Sequence, residues 1–153
     1  MRQLGIRLGY YSEDPMTMYA IDSLMDFIED NTAKITKYLE PAVFGGATLE
    51  VEAGKQWCQD VWCPLLSVLE NRLKGHGKNY IAGTAKPTIA DFKCFYPYLV
   101  VALNADSPCP SEVVSEIKDK CTSDFPCVKQ WLTRMESEQL SRYIKEVRKP
   151  TKI

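Results

Sequence analysis

At 153 residues, with 45% hydrophobic and 25% charged residues, the chain has the composition of one globular domain large enough to bury its own core. Nineteen Lys and Arg stand against 20 Asp and Glu, with no block of five like charges, which argues against a nucleic-acid groove or an acidic tail. No apolar run approaches the roughly 18 residues that cross a bilayer, and Met1 to Leu8 lacks the unbroken apolar segment of a secretory signal, so a cytoplasmic protein with no membrane partner is expected.

Apolar residues recur at helical spacing along almost the whole chain, without a sustained alternation rich in Val, Ile and Thr. The expected fold class is all-α. The first residues read as the end of a helix, with Leu4 and Leu8 on one face and Gly9 able to close it in a left-handed conformation. Asp14 before Pro15 is a strong start signal, a side-chain acceptor at the N-cap followed by proline at the first helical position. Met18, Ile21, Leu24, Met25, Ile28, Ile35 and Leu39 fall on one face of the helix that follows, and Asp22, Asp26, Glu29 and Asp30 on another. Pro41 and Gly45-Gly46 close it.

Thr48 or a near neighbour opens a second long helix. Val61, Leu65, Val68 or Leu69, and Leu73 form its stripe, with Trp57 and Trp62 as anchors and a bend at Pro64. Gly75-His76-Gly77 ends it. A third helix begins at Thr88 and carries Phe92, Phe95, Leu99 and Leu103 in phase through Pro97, so this proline kinks the helix rather than stopping it. Pro108-Cys109-Pro110 is a break, and Ser111 caps a short helix to about Cys121. Phe125-Pro126 leads into another, with Val128, Trp131, Leu132 and Met135 inward. Glu138 to Val147 forms one more short helix or runs loosely over the surface, and Arg148 to Lys152 reads as a solvated tail. The expectation is a bundle of about five or six helices.

Six cysteines lie at 58, 63, 94, 109, 121 and 127, never as Cys-x-x-Cys. Free, buried or half-buried thiols are expected in a chain with its own core. With His76 as the single histidine, no zinc or other metal site is expected. His76 itself, between two glycines, reads as an exposed turn residue, and Tyr10 and Tyr11 as packing or loop residues.

The most specific local feature is Pro87-Thr88-Ile89-Ala90-Asp91-Phe92. The Thr88 side chain can accept from the Asp91 N–H while the Asp91 carboxylate reaches back to the Thr88 N–H, a capping box contributing about 1 kcal/mol per cap. Pro87 and Phe92 can form the apolar staple around it. Alone, such a box marks only a helix start.

Its surroundings say more. Asn79-Tyr80-Ile81-Ala82-Gly83 stands upstream and Phe125-Pro126-Cys127-Val128-Lys129-Gln130-Trp131 downstream. This order resembles the C-terminal all-α domain of cytosolic glutathione S-transferases, nearest the sigma, alpha and mu-like branches. Arg2 to Tyr11 resembles the last helix of the family's thioredoxin-like half and the joining segment, and Ile21 to Asp30 the first helix of the all-α half. The implied organisation is residues 1–11 as the end of the thioredoxin-like half and linker, and 12–153 as the helical domain.

The resemblance implies glutathione as co-substrate, held mainly by the thioredoxin-like half, which supplies the activating Tyr, Ser or Cys. No catalytic residue is expected in this chain, and catalysis by this chain alone is not expected. The all-α half is implied to supply the hydrophobic co-substrate wall, dimer contacts and one carboxylate reaching the neighbouring subunit's glutathione. Counting eight residues from Asp22 places that carboxylate at Asp30; a solvated acidic helix face is the equal alternative. Ile35 and Tyr38, farther along the same helix, are the candidate wall residues, although such side chains serve a core as readily. The partners implied are a second copy of the chain or other protein chains. The rival reading is a non-catalytic docking module of a larger assembly.

Overall fold

The computed structural model describes residues 1–77 and 79–148. Its helices begin and end where local chemistry permits. The Asp14 carboxylate accepts from the Thr17 N–H at 2.8 Å, and with Pro15 in the first position α2 runs Pro15–Gly45, through Pro41, to a left-handed Gly46. Ile21, Leu24, Ile28, Ile35 and Leu39 are buried on it, whereas Met18 is half-buried. The short α1 (Arg2–Leu8) closes at Gly9, with φ of 75°. It folds against the start of α5 (Ile89–Val101), where the Ile89 N–H donates to the Tyr10 carbonyl at 2.9 Å.

The second long helix starts later than Thr48. Glu50 is its N-cap residue and α3 runs Val51–Trp57 with no side-chain cap. A tertiary contact sets this start: the Tyr38 hydroxyl donates to the Glu50 carbonyl at 3.2 Å, pinning the first turn of α3 to α2. A π turn over Cys58–Trp62 then leads into α4 (Cys63–His76), which ends at a left-handed Gly77. The bend expected at Pro64 takes this form. One extra residue in the turn just ahead of the proline relieves the clash and the missing N–H that it brings to a regular helix.

The remaining helices pack on this frame. α5 continues in phase through Pro97, lies most extensively on α2, and buries Phe95 and Leu99. α6 runs Ser111–Ser123 with Pro110, not Ser111, in the N-cap position. Pro110 presents its carbonyl to the N–H groups of Val113 and Val114, both at 3.0 Å, while the Ser111 hydroxyl turns to Glu112.

α7 (Pro126–Arg134) has no cap of its own. Glu70 of α4 supplies one, accepting from the Val128 N–H at 2.9 Å. The chain then makes π turns over Met135–Gln139 and Tyr143–Val147. Leu140 and Ile144 pack against the core, and the Arg148 guanidinium docks on the Leu99 carbonyl at 2.9 Å. Arg148 is thus anchored, and the remainder of the basic tail lies outside the described residues.

All described residues are in helices, turns or loops, without a strand among them. The core gathers Ile21, Leu24, Ile28, Trp62, Leu65, Phe95, Ile117, Trp131 and Met135 from α2, α4 to α7 and two of the π turns. All six cysteines are free, four buried and two half-buried.

Candidate functional site

Asp91, fully buried, is the junction that holds the working helix in place. Its Oδ2 accepts from the Thr88 N–H at 2.8 Å and from the Thr88 hydroxyl at 2.9 Å. Both directions of the capping box are present, with the carboxylate the firmer half, since the Thr88 hydroxyl turns its proton to Asp91. Oδ1 accepts from the Ile81 N–H and from the Trp131 indole N–H, each at 3.0 Å. Burial pushes the Asp91 carboxyl upward and these four bonds oppose it. Pro87 is buried at the helix entry, and the half-buried Phe92 ring meets Tyr10 edge to face at 5.1 Å. Arg134 secures the upstream turn by donating to the Asn79 carbonyl at 2.9 Å and lying over the Tyr80 ring.

With α5 held this way, its second half and that of α2 enclose a groove of about 210 Å³. Ile35, Leu39, Val43 and Phe44 line one side and Tyr96, Pro97, Val100 and Val101 the other. Glu29 pairs with Lys93 one turn before the first groove residues on each helix, so α2 and α5 run in the same direction and this ion pair marks one end. Glu40 and Phe44 stand at the other. The hydroxyls of Thr32 and Thr36 also lie along the groove but donate to the carbonyls of Ile28 and Thr32, at 2.7 and 2.8 Å. The cleft therefore suits an apolar ligand.

Residues 64–139, which contain the Asp91 junction, Trp131 and the α5 wall of this groove, match the family profile described as glutathione S-transferase, C-terminal domain. The chain carries a glutathione S-transferase C-terminal domain. A search of curated proteins and a search of solved structures each returned no match.

Within this transferase domain the three expected site residues separate. Ile35 is buried at the groove, as part of its wall. Asp30 is exposed on α2 and has no hydrogen-bond or ion-pair partner among the described residues. Its neighbours Asp22 and Glu29 are engaged, by Arg2 and Tyr11 and by Lys93. Tyr38 stands away from the groove lining, its ring stacked on Trp57 at 4.5 Å, its hydroxyl on Glu50 and its phenol pushed up to about 12 by burial.

Tyr96, Val100 and Phe44 of the groove were not singled out from sequence. Tyr96 is off the Phe92–Phe95–Leu99 stripe, and only the apposition of α2 reveals its role. Among the described residues no cluster of His, Cys, Asp and Glu could hold a metal ion, and no helix is long and apolar enough to cross a membrane.

Proposed function

We propose that this domain forms the wall on which a hydrophobic electrophile rests while glutathione conjugates or isomerises it. The observation that carries the proposal is the apolar α2–α5 groove with Ile35 in its side. Tyr38 supports this wall from behind through Trp57 and the Glu50 carbonyl. Asp30, whose carboxylate has no partner among the described residues, offers it to the ammonium of a γ-glutamyl group, a charge-assisted contact.

In this reading glutathione itself sits mainly on a thioredoxin-like half, with residues 1–11 as its end and linker. Activity belongs to the cytoplasmic assembly of both halves and its dimer, and the helical domain alone is inactive. Fluorescence of anilinonaphthalene sulfonate tests the wall. The chain should bind the dye, Val100→Trp should fill the groove and abolish the signal, and Leu4→Glu should leave it unchanged. Undiminished binding by Val100→Trp would remove the groove from the proposal.

One observation favours docking to another protein chain as a second reading. Leu4 and Leu8, one turn apart on α1, are each 60% exposed and lie together with Met1 and Tyr10, an apolar patch of the kind that marks partner sites. Sedimentation of the chain over a range of concentrations tests whether a second copy is that partner. Self-association lost in Leu4→Glu supports it, and a monomer throughout excludes it.

A further inference from the structure

Of the polar side chains along the groove, one can give a hydrogen bond to a ligand. The Thr32 and Thr36 hydroxyls have their protons directed to helix carbonyls, and the Glu40 carboxylate only accepts. The Tyr96 hydroxyl has no partner among the described residues, and the side chain, 53% exposed, lies on the α5 side of the groove mouth. Lys93, one turn earlier on α5, is tied to Glu29.

We infer that Tyr96 positions the co-substrate and selects its class: a slender apolar molecule carrying a carbonyl-type acceptor oxygen, which Tyr96 meets while the hydrocarbon body lies on Ile35, Leu39 and Val100. This inference rests on the groove being the co-substrate wall. The chemistry is consistent, because many electrophiles open to a thiolate are activated by such an oxygen. A hydroxyl at the mouth also leaves the apolar depth of the cleft free for the hydrocarbon. A phenol on a helix turn held by Asp91 and Pro97 is preorganised for this role, with two side-chain torsions to order.

The test pairs a ligand change with a residue change. Benzylacetone, an unreactive aryl ketone, is compared with its analogue bearing a methylene group in place of the carbonyl oxygen. Binding to the chain is followed by NMR shifts of the Ile35, Leu39 and Val100 methyl groups. Tyr96→Phe, at an exposed position, keeps the ring and removes the hydroxyl. The ratio of ketone to analogue affinity should fall about five-fold in Tyr96→Phe, the size of one net hydrogen bond. If both ligands shift the groove methyls and the ratio is the same in both proteins, the role of Tyr96 is overturned and the groove stands. If neither ligand moves those methyls, the groove reading fails and this inference with it.

Discussion

The Trp131 indole donates to the Asp91 carboxylate at 3.0 Å across 40 residues of chain. The same oxygen holds the Ile81 N–H, so one buried side chain ties the upstream turn, the start of α5 and α7 together. Asp91→Ala should therefore lower stability by about 3–5 kcal/mol, because it uncaps a helix and also leaves two buried donors unmatched. Trp131→Phe keeps most of the packing and should cost about 1–3 kcal/mol. Urea unfolding of the two single variants and the double variant measures their coupling. Strictly additive losses would show that the shared bond contributes nothing.

Glu70 gives the domain an acid-sensitive joint. It is 3% exposed; burial alone would raise its carboxyl, but the Val128 N–H and the Lys74 ammonium outweigh burial and hold it below the usual carboxylate value of 4.5. A carboxyl with a lowered folded-state value contributes its stability above the unfolded value and loses it as pH falls through the folded one. Glu70→Gln should melt lower than the unaltered chain at neutral pH. That gap should close as pH drops below about 4.5. Melting curves of both proteins across pH 3–7 read it directly, and a gap independent of pH would exclude the charged cap.

Thiol chemistry should divide the cysteines into two groups. Burial pushes Cys58, Cys109 and Cys121 up to about 12 and Cys94 higher still, whereas Cys63 and Cys127 are half-buried. The reacting species is the thiolate, so access and ionisation act together. Brief alkylation of the native chain with iodoacetamide, read by peptide mass spectrometry, should modify Cys63 and Cys127 ahead of the other four. Early labelling of Cys94 would contradict the packing of α5.

Gly54 sits where α3 passes Tyr38 and α6. A Cβ there would lie 2.5 Å from the Tyr38 hydroxyl and overlap Val113. Alanine is the better helix former by about 1 kcal/mol, yet Gly54→Ala should destabilise by about 1–3 kcal/mol through overpacking. Adding Tyr38→Phe removes one of the clashing atoms and should recover part of the loss. Thermal unfolding of these variants decides it; a stabilised Gly54→Ala would mean that the close approach is absent.

Local signals carried the helix ends well. Asp14-Pro15, Gly9, Gly77 and the Thr88–Asp91 box act through hydrogen bonds and torsions within a few residues, so they are readable from neighbouring letters. Near Thr48 the letters left the start open within a few residues, and Tyr38 fixed it at Glu50. Ser111 misled: it is a competent capping residue, but Pro110 fixed the entry to α6.

By itself, the sequence determined the all-helical class, the buried stripe of α2 and α5, and the order of segments that marks a transferase C-terminal domain. The position of Ile35 beside the groove was legible because the groove wall continues that stripe. The tertiary structure decided the rest. Glu70 reads as a surface acid beside Lys74 until the uncapped end of α7 is brought onto it. Tyr96 reads as a solvent-facing residue until α2 and α5 align in parallel, with the Glu29–Lys93 pair at one end. A groove is the space between two faces and an adopted cap a bond between distant segments; neither has a period or spacing in one stretch of chain.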